Sequence, residues 1–183
     1  RPDVLVVGPG LGRTPWSEQL LQQALESERP LVLDADALNI LAEGRLALPG
    51  HRRWVMTPHP GEAARLLGCS TSEVQNDRVA AVGKLQKTFG GVVLLKGAGT
   101  LIADDSGIYL AKVGNAGLAT AGSGDVLAGL IGSLMAQSLS LLTAAQLGAC
   151  LHGEAADLAV EETGVVGLQA AELPPYIREL LKA

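Results

Sequence analysis

Short apolar runs alternate with helical patterns along this chain, and the alternation predicts its elements in order. Val4 to Val7 reads as a buried strand running into Gly8-Pro9-Gly10-Leu11-Gly12. Thr14-Pro15 matches an N-cap followed by a proline in the first turn, where its missing N–H costs nothing, so a helix is expected from about Pro15 to Ser27. Leu31 to Leu33 is a second strand delivering Asp34, Asp36 and Asn39 beyond its end, with a short helix from about Ala37 to Ala42 closing at Gly44. Trp54 to Thr57 is a third strand, leading into Pro58-His59-Pro60-Gly61-Glu62 and a helix to about Leu67, with Gly68 placed to end it. A single helix is expected over Ser70 to Thr88, opened by the capping-box pattern Ser70-x-x-Glu73. Val92 to Leu95 is a fourth strand, and Thr100–Ala103 with Ile108–Val113 form a hairpin around Asp104-Asp105-Ser106-Gly107. From Gly122 onward, Val126, Leu127, Leu130, Ile131, Leu134 and Met135 make one apolar stripe at helical spacing, while Gly129, Gly132 and Ser133 keep another face thin for a close neighbour. Helices from about Leu142 to Glu161 and Ala170 to Leu181 finish the chain.

Strands alternating with helices, then a late hairpin, predict an α/β fold with a mostly parallel sheet covered on both faces. Such sheets collect ligands at the carboxyl ends of their strands, which is where the unusual loops fall. The 183 residues suit one domain, and no internal repeat or linker divides them. Arg1-Pro2-Asp3 enters a strand at once and carries no initiating Met, so the domain is expected to be incomplete at its N-terminus.

Composition narrows the functional classes. At 48% hydrophobic and 18% charged residues, with 23 glycines, the chain is a folded domain and not a disordered one. Net charge is −5 and no run of Lys or Arg forms a stripe, which argues against nucleic-acid binding and leaves room for one local anion pocket. Cys69 and Cys150 stand far apart with no CxxC pattern, so a disulfide framework or structural zinc is not expected, and reduced thiols point to the cytoplasm. The longest apolar stretch, Val126 to Met135, is too short to span a bilayer.

Four loops carry candidate chemistry. In Gly114-Asn115-Ala116-Gly117-Leu118-Ala119-Thr120-Ala121-Gly122-Ser123-Gly124-Asp125, small residues precede a helix start, so the amides of Gly122, Ser123 and Gly124 and the positive helix end can meet a phosphate or a developing negative charge. Asp125 falls in the first turn, where it is either a base or a capping acid. Lys96-Gly97-Ala98-Gly99-Thr100 either lets a nucleotide approach the backbone or is a plain turn; it lacks the Walker A order. Two prolines stiffen the loop that presents His59, and Glu62 can hold hydrated Mg2+ or cap its helix. The Gly8 to Gly12 loop is not the dinucleotide G-x-G-x-x-G spacing. For Asp34 and Asp36, metal binding, hydroxyl binding and helix capping all stay open.

Taken together, VVGPGLG at 6–12, LDADALN at 33–39, TPHPGEAARLLG at 57–68, LLKGAGT at 94–100, GNAGLATAGSGDVLAGLIGSL at 114–134 and HGEAADL at 152–158 closely resemble the ADP/ATP-dependent NAD(P)H-hydrate dehydratase family. The resemblance implies a ribokinase-like three-layer α/β/α fold, a hydrated NADH or NADPH substrate, ADP or ATP as phosphoryl donor, and Mg2+. It implies Asp125 as catalytic base; Lys96, Gly97, Ala98, Gly99, Thr100 and Gly124 at the nucleotide; and Gly10, Gly12, Asn39, His59 and Asp125 at the hydrate. His59-x-x-Glu62 is similar to the metal and phosphate motif Asn-x-x-Glu of ribokinases, with His in place of Asn. Family members have about a hundred further residues of the domain before VVGPGLG, many bacterial ones follow an epimerase domain, and the family commonly forms homo-oligomers. The rival readings are a ribokinase-type small-molecule kinase and a nucleotide-binding module without turnover.

Overall fold

The computed structural model describes residues 3–182; Arg1, Pro2 and Ala183, at the limits of the expected domain, lie outside the described residues. Six strands form one sheet in sequence order: β1 (Leu5–Val7), β2 (Leu31–Leu33), β3 (Trp54–Met56), β4 (Val92–Leu95), β5 (Thr100–Asp104) and β6 (Gly107–Ala111). The first four run parallel, and β5 and β6 turn back as an antiparallel hairpin.

Strands of three or four residues make few ladder hydrogen bonds, so burial of both faces has to hold this sheet. Side chains alternate between the faces. Leu31, Leu33, Trp54, Met56, Val93 and Leu95 pack beneath one helical layer, and Val32, Val55, Val92 and Leu94 beneath the other. Each large apolar side chain so buried contributes about 1.5–3 kcal/mol.

The first layer holds α1 (Pro15–Glu26), α2 (Ala35–Ala42), α3 (Pro60–Leu67), α4 (Thr71–Asn76) and α5 (Arg78–Phe89). Right-handed crossovers between strands added in one direction keep all their connections on one face. The opposite face would therefore be bare without α6 (Ser123–Ala136) and α7 (Leu141–Thr163), which follow the last strand and cover it. α8 (Leu173–Leu180) packs on α7. The expected three-layer α/β/α arrangement is present. No helix among the described residues is long and apolar enough to cross a membrane.

Local expectations fail in instructive places. The helix expected over Ser70 to Thr88 is two helices, because Asp77 leaves helical geometry (φ −143°, ψ 81°) and caps α5 by accepting the Ala80 N–H at 2.8 Å. Neither Gly nor Pro marks that break. The last helix is preceded by a 3-10 turn, Ala170–Glu172, since Pro174 and Pro175 restrict α8 to a fresh start. α2 begins at Ala35, two residues early, with Ala35 itself at φ 46°. Of the three small residues expected to keep one face of α6 thin, only Gly132 meets a close neighbour: a β-carbon there would lie 2.4 Å from Val6 Cγ2, whereas nothing approaches Gly129 and Ser133 is exposed.

Gly8 is obligatory for the same kind of reason. Its φ is +135°, and a β-carbon would lie 1.7 Å from the Asp34 carbonyl oxygen, where β1 and β2 meet. We expect Gly8→Ala to cost roughly 3 kcal/mol or more. Gly10→Ala, at φ +67° in open space, should cost only about 1 kcal/mol, the backbone strain alone. Urea unfolding of both variants checks the difference, and equal losses would contradict it.

Candidate active site

Because β1 to β4 are parallel, their carboxyl ends share one edge of the sheet, and the chain leaves all four through the loops singled out above. Hydrogen bonds stitch neighbouring exits together. Asp34 N–H donates to Val7 O at 3.1 Å, Thr57 N–H to Leu33 O at 3.0 Å, and Lys96 N–H to Pro58 O at 2.8 Å. The Gly8–Gly12 turn is closed by Leu11 N–H on Gly8 O and braced by Gly12 N–H on Asp36 Oδ2 at 2.8 Å. Asp36 is thus a support for this loop. Gly12's amide is committed to it, and exposed Gly10 is open.

Asp34 resolves differently. It stands at the N-cap of α2 and makes no capping bond. Its buried carboxylate accepts the Thr57 hydroxyl at 2.8 Å and the Lys96 ammonium at 2.7 Å. Lys96 therefore turns away from its own Gly97–Thr100 loop, toward the middle of the edge. There it meets the start of α6: a β-carbon on Gly124 would lie 3.1 Å from Lys96 Nζ and 3.7 Å from Asp34 Oδ2.

The α6 N-terminus has the expected form. Gly122 takes φ +83° at the N-cap, a conformation suited to glycine. Ser123 N–H makes a long bond to Thr120 O at 3.4 Å, while the amides of Gly122 and Gly124 find no backbone acceptor among the described residues. Asp125 is exposed in the first turn and accepts no hydrogen bond from another described side chain. It is not buried in the core, and its neighbour Gly124 stands beside Lys96 Nζ.

His59 caps α3. Its Nδ1 accepts from Gly61 N–H at 2.9 Å and Glu62 N–H at 3.3 Å, and Glu62 Oε2 accepts the His59 N–H at 2.8 Å. Nδ1 as an acceptor leaves the ring proton on Nε2, 3.4 Å from Glu62 Oε1. Burial and, next, the Lys96 charge hold the His59 pKa below its usual value. Burial pushes the Glu62 carboxyl up, against the pull of the His59 amide and Lys96. Among the described residues no three His, Cys, Asp or Glu side chains converge into a metal cage. One buried carboxylate on an edge that also carries unpaired helix-start amides still suits Mg2+, which binds through one or two carboxylates plus phosphate oxygens and water. Asn39 lies at the α2–α3 seam and accepts from exposed Arg65 at 2.7 Å.

Three supports were not legible as such. Arg78, brought to its place by the α4–α5 break, donates to the carbonyls of Ala98, Leu95 and Lys96 and so sets the shape of the Gly97–Thr100 loop. Asp157 on α7 accepts from Gly114 N–H at 2.9 Å and Asn115 Nδ2 at 2.8 Å, pinning the start of the glycine-rich stretch. His152, also on α7 and buried, places Nε2 3.0 Å from Ser123 O; a carbonyl only accepts, so the ring donates. The available signal was a His and an Asp in an alanine-rich helix.

The profile of the NAD(P)H-hydrate dehydratase family matches residues 1–179. The chain is 53% identical over 180 residues to the bifunctional NAD(P)H-hydrate repair enzyme of Coxiella burnetii, covering 97% of this chain and 36% of that enzyme. It is 52% identical over 182 residues to the ADP-dependent (S)-NAD(P)H-hydrate dehydratase of Neisseria meningitidis serogroup B, covering 96% of this chain and 62% of the relative. The chain thus spans from about a third to under two thirds of the length of these curated relatives. Among solved structures, the ADP/ATP-dependent NAD(P)H-hydrate dehydratase of Bacillus subtilis, co-crystallized with ATP/Mg2+, is similar at a TM-score of 0.89 and 31% identity, over 98% of this chain and 64% of that one. A ribokinase-like superfamily protein of Enterococcus faecalis is similar at 0.81 and 29%, over 97% and 63%. The ribokinase-like expectation for the fold is borne out.

Burial lowers the His152 pKa, so the unfolded chain binds this proton more readily than the folded one. Stability from this residue is complete above about pH 6.5 and is lost as pH falls from there through the lowered value. His152→Gln keeps an N–H for Ser123 O and cannot titrate. Urea midpoints between about pH 5 and 8 should slope less steeply in that variant, with the remaining slope carried in part by His59; an unchanged slope would refute the assignment.

Proposed function

This chain belongs to the NAD(P)H-hydrate dehydratase family, and we propose that it carries out nucleotide-dependent dehydration of hydrated NADH or NADPH, regenerating the reduced dinucleotide. The supporting observation is the meeting of the α6 N-terminus with Lys96 at the strand edge, with Asp125 exposed beside it.

In this reading the ring hydroxyl oxygen of the hydrate attacks the terminal phosphorus of ADP or ATP as Asp125 takes its proton. The phosphoryl–nucleotide bond breaks, and AMP or ADP leaves. The amides of Gly122, Ser123 and Gly124 receive charge on the transferring oxygens, donors already oriented before the reaction. Of these, Gly122 and Gly124 are the freer, since Ser123 N–H keeps its long bond to Thr120 O. Glu62, helped by His59, would hold Mg2+ through water, and the ion's contribution is to screen phosphoryl charge. The ring nitrogen's lone pair then expels phosphate from the neighbouring carbon, and loss of a proton from the next carbon restores the ring double bond. Water is a poor leaving group and phosphate a good one, which accounts for the consumed nucleotide.

Lys96 to Thr100 and Gly124 form the nucleotide side of the site, and Gly10, Gly12, Asn39 and His59 the hydrate side. A cytoplasmic location, self-association and an upstream epimerase domain belong to the same proposal. The last fits a chain that spans 36% of a bifunctional relative.

A coupled assay following recovery of the reduced dinucleotide tests the reading. Asp125→Asn should lower kcat about 1,000-fold with nucleotide affinity within about threefold, since the base acts on the hydroxyl and not on the nucleotide; retained turnover overturns the base. Arg78→Ala frees the carbonyls of Leu95, Lys96 and Ala98 at the end of β4 and in the loop after it, and should raise the nucleotide KM about tenfold while leaving the hydrate KM within about twofold. A larger rise for the hydrate would reverse the division of the site.

A further inference from the structure

We propose that Asp34 is a positioning residue for phosphoryl transfer, acting through Lys96, whose ammonium and the α6 amides clamp the group in flight from two sides. The inference rests on the reading that the α6 N-terminus receives the phosphoryl group.

The electrostatics of the edge call for it. A helix N-terminus carries partial positive charge and ordinarily attracts acids. Here a lysine ammonium is held against it, at 3.1 Å from where a Gly124 β-carbon would stand. Asp34 Oδ2, 3.7 Å from the same position, brings one negative charge, which the ammonium matches, so the positive helix end is left without an anion of its own. Lys96 does not drift to solvent, because Asp34 Oδ1 holds it at 2.7 Å and Thr57 Oγ1 fixes the same oxygen at 2.8 Å. The Asp34 side chain is 2% exposed and the Lys96 side chain 20%. Buried pairs of this kind add little stability over apolar packing, so stability does not explain the arrangement. Capping does not explain it either, since Asp34 makes no cap bond to α2. An ammonium has three N–H donors, and Asp34 takes one. Gly124, lacking a side chain, leaves the space where the others and the helix amides converge. Lys96 accordingly serves the phosphoryl group, leaving adenosine contacts to Gly97–Thr100.

The test uses wild type, Asp34→Asn, Lys96→Met and the double variant in the full-length protein. Calorimetry measures adenine-nucleotide affinity with Mg2+, with and without fluoroaluminate, a planar mimic of the phosphoryl in flight; the coupled assay gives kcat and KM. Wild type should bind nucleotide more tightly with fluoroaluminate. Asp34→Asn should lose about tenfold or more of that enhancement and about 100-fold in kcat, with affinity for nucleotide alone within about threefold. The double variant should be no worse than Lys96→Met, because Asp34 has then lost the group it acts through. Enhancement and kcat preserved in Asp34→Asn, or losses that multiply in the double variant, overturn the proposal.

If Asp34→Asn does not fold, Thr57→Val removes one brace from the same oxygen. A loss of about three- to tenfold that vanishes in the Lys96→Met background supports the proposal; one that persists there overturns it. A wild type that regenerates no dinucleotide, yet shows this fluoroaluminate pattern, unseats the substrate and leaves the role of Asp34 standing.

Discussion

A carboxylate taken out of water stays charged only if it is given partners, and the partners of Asp34 tie this molecule together. Asp34 follows β2, Thr57 follows β3, and Lys96 follows β4, so one buried oxygen joins three successive strand exits. The ammonium then reaches the start of α6, an element that enters only after the sheet is complete. Position the carboxylate and the relative heights of three loops and a helix end are set with it.

Around that centre the chain uses backbone where side chains would obstruct. Gly8 lets β1 pass close to the Asp34 carbonyl, and Gly122 begins α6 in a left-handed conformation. Gly124 makes room for the lysine. The supporting groups come from outside the loops they brace. Asp36 holds the Gly8–Gly12 turn, Arg78 the Gly97–Thr100 loop, and His152 and Asp157 the approach to α6. Asp125 and Gly10, the residues proposed to meet ligand, thus remain exposed, while their geometry is set by buried or half-buried neighbours.

The strand positions and most helix starts were legible because they rest on short-range chemistry. Thr14, Ser70 and Gly68 act as the expected caps, and the alternation of Leu31, Val32 and Leu33 places each on the expected kind of face. The break at Asp77 was not legible, since an aspartate within a polar helical run looks like any other. Only the carbonyls it brings within reach of Arg78 reveal what the break does. The candidate loops were legible as a set, from glycine density at strand ends and from their joint family order. Asp34 and Asp36 looked alike in sequence, and three readings stayed open for them until the neighbours 23 to 62 residues away came into place.

What the sequence alone determined is therefore local or periodic: which segments are strands and helices, that the sheet is mostly parallel, and that the glycine-rich loops leave it at the strands' carboxyl ends. Those features follow from side-chain spacing, caps and backbone freedom within a few residues. What tertiary structure decided is which polar groups meet. Lys96 reaches back to Asp34 across 62 positions, and Gly124 closes on both. Such pairings depend on packing distances between elements, where one ångström separates an ion pair from two solvated charges, and no pattern along the chain encodes a distance of that kind.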